Sequence, residues 1–177
     1  MTITIEEINP RNIQDADRCD AAFTVEAKLV LSAENDRIHY STVRIPSYLK
    51  RYPLDSIDLS TYINNPDKAV FFAYVDGRIA GQIRLCRYWN RYAYIEDIVV
   101  DTKYRRQGVG RGLIRQGIRW AIEKQLPGVM LETQNNNIAA CCLYASCGFE
   151  LAGFDRCLYQ GINPETDEIA LYWYYKI

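Results

Sequence analysis

Strand and helix signals along the chain predict an α/β (α+β) fold, with a mixed, mostly antiparallel central sheet flanked by helices and one parallel strand pair. Three observations carry this. Residues 69–75 and 79–88 bracket Asp76-Gly77, the two-residue signal of a tight hairpin. A strand-like run at 92–100, a helical stripe of Val109, Leu113, Ile114, Ile118, Ala121 and Ile122, and a run at 129–133 form strand–helix–strand. A right-handed crossover of this kind sets its two strands parallel in one sheet. Further on, residues 149–158 and 169–175 supply two final strands.

The other elements follow from local pattern. Residues 2–8 alternate like a half-buried strand until Asn9-Pro10, and a short helix is expected at 14–19. Residues 23–31 and 37–43 flank Glu34-Asn35-Asp36 as a hairpin. The span 46–67 contains three prolines and is the least determined, with one helix expected near 59–64. Trp89-Asn90-Arg91 turns the chain between strands, and Pro127-Gly128 stops the first long helix. A second helix over 137–147 ends at Gly148, a residue suited to the left-handed C-terminal position.

Bulk properties bound the function. A chain of 177 residues with 49% hydrophobic and 24% charged residues matches one ordinary globular domain, expected to span 1–177. A net charge of −1 argues against nucleic acid as the partner. The six cysteines form no Cys-x-x-Cys pair and the one histidine, His39, is remote from them, so no metal site is expected. Neither a secretory leader nor a membrane-spanning run is evident, and a cytoplasmic protein with reduced thiols is expected, as monomer or homodimer.

The most informative segment is Arg105-Arg106-Gln107-Gly108-Val109-Gly110, between a strand and a helix start. Glycines open the backbone there, the helix start offers N–H groups and positive dipole, and Lys103, Arg105, Arg106, Arg111 and Arg115 add charge, so a phosphate or pyrophosphate fits. The plain alternative is a tight turn followed by a solvated arginine face. The segment lacks the Gly-Lys-Ser/Thr ending of a nucleotide-triphosphate loop, and its glycine spacing is not that of a dinucleotide fold.

Arg105-x-x-Gly108-x-Gly110 resembles the coenzyme-pyrophosphate loop of the GNAT superfamily of N-acetyltransferases, and Asn137-x-x-Ala140-x-x-x-Tyr144 with Cys147-Gly148-Phe149 resembles the downstream helix of that superfamily. The runs Trp89-Asn90-Arg91-Tyr92-Ala93-Tyr94-Ile95-Glu96-Asp97-Ile98 and Leu131-Glu132-Thr133-Gln134 resemble streptothricin acetyltransferases more narrowly. The resemblance implies a strand pair that splays to admit acetyl-CoA and direct acetyl transfer to an amine of a small cationic antibiotic. Coenzyme-binding residues are then Ile98, Val99, Val100, Arg105, Arg106, Gln107, Gly108, Val109, Gly110, Arg111, Asn137, Ala140 and Tyr144. Two other readings stand beside it: a protein, peptide or polyamine N-acetyltransferase, and a non-catalytic acyl-CoA-binding sensor.

Amine transfer sets its own chemical demand. An alkyl amine of pKa about 10.4 keeps its lone pair in only about one molecule in a thousand near neutral pH, so a base or water relay must help remove a proton. The resemblance favours Glu96 as that base, through water, with Asp97 binding substrate or organising the sheet; strand alternation sends the two to opposite faces. Either carboxylate is alternatively a structural partner of Arg91 or another cation. Tyr144 carries the implied role of general acid toward the departing thiolate, against a reading as a core tyrosine. Asn137 is expected to cap its helix or bind the pantetheine arm. Acceptor contacts are expected from Trp89, Tyr92, Tyr94, Glu132 and Asp155, with residues 44–67 in the pocket wall. Cys141, Cys142 and Cys147 read as buried small hydrophobes, and His39 as structural.

Overall fold

A computed structural model describes residues 1–52 and 57–177. Along the chain the strands are β1 (Ile3–Glu7), β2 (Phe23–Glu34), β3 (Arg37–Lys50), β4 (Lys68–Val75), β5 (Arg78–Arg87) and β6 (Ala93–Val100). Helix α1 (Val109–Glu123), β7 (Gly128–Gln134), α2 (Ile138–Ser146), β8 (Glu150–Asp155) and β9 (Ala170–Lys176) complete it. The chain divides into two compact units: residues 1–22, 51–129 and 177 in one, residues 23–50 and 130–176 in the other.

In the first unit β1, β4, β5 and β6 lie side by side in that order, each antiparallel to the next. The hairpin at Asp76-Gly77 forms as the sequence predicts, with both residues at positive φ, 47° and 78°. One sheet face packs on α1, which buries Val109, Leu113, Ile114, Gly117, Trp120 and Ala121. Ile122, expected on that stripe, is 54% exposed, because the helix rotates Gly117 and Trp120 inward instead. Gly117 lets the helix settle on Ile83 and Leu85: an added Cβ would come within 3.2 Å of Leu85 Cδ2. At Gly81 an added Cβ would meet the Val99 carbonyl oxygen at 2.7 Å and Leu113 Cδ1 at 3.0 Å, so side chain, strand and helix cannot share that space.

The opposite face of this sheet packs a smaller core of Ile8, Leu59, Tyr62, Val70 and Phe72. Short 3-10 turns at Ile13–Asp15 and Leu59–Tyr62 close it. The helix expected at 14–19 is only the first of these turns, ended by Ala16 in an extended conformation and Asp17 at φ 57°. The helix expected near 59–64 is the second, begun by the Asp58 side chain accepting from the Ser60 N–H at 3.0 Å. Part of the expected pocket wall, residues 53–56, lies outside the described residues.

In the second unit β2 and β3 form a long ribbon turned by Asn35 and Asp36, both at positive φ. The ribbon extends well beyond its expected length, since β3 continues through Pro46 to Lys50. Proline is tolerated because the register jumps between Val25/Tyr48 and Ala27/Arg44, leaving Pro46 in an irregularity where no ladder bond is needed. β8 pairs antiparallel with β9, and the strand expected over 149–158 stops at Asp155, whose carboxylate starts a turn. Helix α2 begins at the Asn137 cap and ends at Cys147, with Gly148 at φ 90°.

Candidate active site

The first unit carries two groups of the residues that the sequence singles out. Across β5 and β6, Arg84 faces Asp97 and Leu85 faces Ile95, so Glu96 is an extra residue with no partner opposite: a β-bulge. The bulge overturns the expectation that Glu96 and Asp97 point to opposite faces. Ile83 and Leu85 lie under α1, whereas Gln82 and Arg84 face away from it, and those two receive the carboxylates. Glu96 Oε2 accepts from the Tyr62 hydroxyl at 2.7 Å and lies 3.7 Å from Arg84 Nε. Asp97 accepts from Gln82 Nε2 at 3.0 Å, and the same amide donates to Asp17 at 2.8 Å. Arg84, not Arg91, is thus the cation beside Glu96.

Burial, then the bond to Glu96, pushes the Tyr62 phenol above its ordinary range. Burial, then the Glu96 charge and a hydrogen bond to it, raises the Cys86 thiol to about 12, which keeps it a donor to the carboxylate. Tyr94 stands opposite Cys86 and stacks on Tyr88 with ring centroids 4.8 Å apart. Trp89, 84% exposed at the β5–β6 turn, tilts against Tyr88. Tyr92 stays half-buried, its N–H held by Asn90 Oδ1.

The second part is the loop into α1. Ile98, Val99 and Val100 bring β6 to its end, and Arg105 folds back so that its Nε donates to the Val100 carbonyl at 3.1 Å. Arg105 therefore braces the loop rather than offering its whole guanidinium outward. Arg106 at φ 63° and Gly108 at φ 90° turn the backbone, and Gln107 Nε2 donates to the Lys103 carbonyl at 2.9 Å. Gly108 caps α1 without any side-chain hydrogen bond, and Val109, Gly110 and Arg111 form the first turn. A helix start of this form presents backbone N–H groups to an anion.

The second unit carries the other residues that the sequence singles out. Asn137 accepts from the Ala140 N–H at 3.3 Å and caps α2, one of the two roles expected for it. Tyr144 is 5% exposed, with its ring tilted against Phe149 and Trp173, so packing fixes its ring. Glu132 is half-buried on β7 and accepts from the Tyr159 hydroxyl; burial pushes its carboxyl up to about 7. Asp155 accepts from the N–H groups of Cys157 and Leu158 at 2.7 and 3.1 Å, so its carboxylate holds the turn that carries Tyr159.

The cysteines divide. Cys141 is buried, with its thiol pushed by burial to about 12, and suits the reading as a small hydrophobe; Cys142 is exposed and Cys147 half-exposed, so neither is the buried residue expected. His39 lies exposed on β3. Among the described residues no group of three or more His, Cys, Asp or Glu side chains is arranged to hold a metal, and no helix is long and apolar enough to cross a membrane. Sequence reasoning missed Tyr62, Gln82, Arg84 and Tyr159. Nothing local announces them, since each acts through a strand register or a contact tens of residues away.

A glycine-capped helix after a bulged strand, with an asparagine-capped helix carrying a buried tyrosine downstream, defines the class. Residues 36–149 match the acetyltransferase (GNAT) family, and the chain belongs to that family of N-acetyltransferases, with its mixed, mostly antiparallel sheet and parallel strand pair. Streptothricin acetyltransferase A of Bacillus subtilis is 39% identical to it over 166 residues, 93% of this chain and 95% of that protein. A Bacillus anthracis protein assigned as a streptothricin acetyltransferase, solved in complex with acetyl coenzyme A, shares 44% identity with a TM-score of 0.94, covering 99% and 100% of the two chains. Nourseothricin acetyltransferase superposes with a TM-score of 0.81 at 30% identity, over 99% of each chain.

Proposed function

We propose that this chain, acting in the cytoplasm as one N-acetyltransferase domain over residues 1–177, transfers the acetyl group of acetyl-CoA to an amine of the β-lysine part of streptothricin and so confers resistance. The observation that carries this reading is similarity over nearly the whole chain to streptothricin acetyltransferases, including one solved with acetyl coenzyme A. The chain's own residues fit that coenzyme. The Gly108 cap leaves the start of α1 open to a pyrophosphate, and any side chain at φ 90° would strain that turn.

In this reading acetyl-CoA supplies the activated acetyl group, and the protein handles protons and position. Glu96 takes a proton from the acceptor ammonium through water, which frees the amine to attack, with Tyr62 and Arg84 holding the carboxylate in position. Asp97, on the same face, binds the acceptor or keeps Gln82 in place. Tyr144 delivers a proton to the leaving thiolate. Trp89, Tyr92 and Tyr94 offer aromatic faces to a cationic acceptor. Acetylation removes one positive charge and its donors, which weakens an antibiotic that relies on cationic contacts with phosphate.

The test is a thiol-release assay with acetyl-CoA against streptothricin, aminoglycosides, polyamines and amino-terminal peptides, alongside streptothricin tolerance of a susceptible bacterium expressing the chain. Streptothricin is expected to react fastest and tolerance to rise. Faster acetylation of peptides with no added tolerance would remove the antibiotic from the reading and leave amine transfer.

A further inference from the structure

We propose that Asp101 and Asp20 are positioning residues for the coenzyme, a reciprocal clasp that holds the loop into α1 in the shape that receives the pyrophosphate. This rests on the acetyl-CoA reading above. The loop needs such a hold. Between the end of β6 and Val109 it passes through Arg106 and Gly108 at positive φ, and its own regular structure is one short 3-10 turn, Thr102–Tyr104. Its shape is therefore set by what it bonds to.

Those bonds run to a residue 81 positions earlier. The Asp20 N–H donates to Asp101 Oδ2 at 2.9 Å and the Lys103 N–H to Asp101 Oδ1 at 3.0 Å, so each oxygen of one carboxylate takes a different N–H group. In return the Asp20 carbonyl accepts from the Thr102 N–H at 3.3 Å and from Arg105 Nη2 at 3.5 Å. The Thr102 hydroxyl donates to Asp20 Oδ2 at 3.4 Å, while Asp20 Oδ1 accepts from Arg51 Nη2 at 2.9 Å and from the Ala22 N–H at 3.2 Å. Neither half of the clasp is loose. The Asp101 N–H is tied to the Ala80 carbonyl on β5 at 2.9 Å. Upstream of Asp20, the N–H and the carboxylate of Asp17 form a two-way pair with the Gln82 amide, at 2.9 and 2.8 Å. All of these residues belong to the first unit.

Charge separates a clasp from simple attraction. Asp20 and Asp101 are negative groups beside a loop that is to hold an anion, and by Coulomb's law alone removing either charge should tighten coenzyme binding. Loss of a clasp has the opposite sign. The freed loop leaves the shape in which the N–H groups of the helix start converge on the anion, and part of the binding energy goes into restoring it. Isosteric changes sharpen the contrast. Asp101→Asn sets an amide NH2 against one of two N–H donors, so it should weaken binding almost as much as Asp101→Ala. Asp20→Asn keeps an oxygen for Arg51 and Ala22, and the Thr102 hydroxyl can turn to accept from the new amide, so it should bind coenzyme about as the parent does. Asp20→Ala, which loses only the side-chain bonds, should fall between them.

The experiment titrates acetyl-CoA, and separately S-acetylpantetheine, which has the thioester but no pyrophosphate, into the parent protein and these four variants by calorimetry. Asp101→Asn should raise the Kd for acetyl-CoA about tenfold, the size of one lost hydrogen bond to a charged acceptor. Its affinity for S-acetylpantetheine should match the parent's. Equal weakening toward both ligands would make Asp101 a general prop of the fold and overturn the proposal, as would unchanged or tighter binding of acetyl-CoA. Gly108→Ala strains the same turn directly and tests the coenzyme-loop reading on its own. If it binds acetyl-CoA as tightly as the parent does, the pyrophosphate is not on this loop and the clasp's role falls with that reading. Weak binding in Gly108→Ala beside parent-like binding in Asp101→Asn overturns the clasp alone.

Discussion

Glu96 and Glu132 are half-buried strand glutamates, one in each compact unit, and their surroundings are unlike. Glu96 has a tyrosine hydroxyl, a thiol and a guanidinium around it. Glu132 has a tyrosine hydroxyl and no cation among the described residues. What the contrast teaches is that burial alone does not set a carboxylate's task. Donors and a positive charge position the first, while burial raises the carboxyl of the second to about 7. In the proposed reaction the first is placed by its neighbours to act as the base, and the second has only a phenol beside it.

The comparison breaks most visibly at turnover. Glu96→Gln should lower kcat by about 10²–10⁴-fold, with Asp97→Asn doing less. If Asp97→Asn has the larger effect, the two exchange roles even though they share a face. Tyr144→Phe, in the second unit, is expected to fall within the same range or slightly below it, with coenzyme affinity nearly unchanged by titration. Unchanged turnover, with thiol release shown by solvent isotope effects to limit the rate, would return Tyr144 to the aromatic core formed with Phe149 and Trp173.

A smaller effect isolates the first unit's framework from its chemistry. Gly81→Ala forces a Cβ against the Val99 carbonyl and Leu113, and overpacking of this kind costs about 1–3 kcal/mol. Thermal unfolding should show the loss.

How much of this was legible in the chain depends on distance along it. The Asp76-Gly77 hairpin, the α1 stripe, the Asn137 cap and the Gly148 terminus were all readable, since each is decided within a few residues. The Gly108 helix start was readable too, although Arg105's return to the Val100 carbonyl was not. The common face of Glu96 and Asp97 was misjudged, because alternation is a local rule and a bulge is decided by pairing with β5. The long ribbon was underestimated for a related reason: Pro46 argues against a strand unless the partner's register makes room for it. Tyr62 and Tyr159 each reach a glutamate about thirty positions away, and no spacing in the sequence marks either one.

The bulge in β6 also bears on how this strand tolerates change at the level of the gene. Ile95 and Ile98 both lie on the α1 side although three steps separate them, which a regular strand forbids. Losing the single codon for position 96 would bring the strand back into step, with Asp97 opposite Arg84 and Ile98 opposite Ile83 as before. The apolar pattern would be intact and the protein would fold. What would vanish is one negative charge from the face that meets Tyr62, a lesion written in the reading frame of the strand rather than in its hydrophobicity.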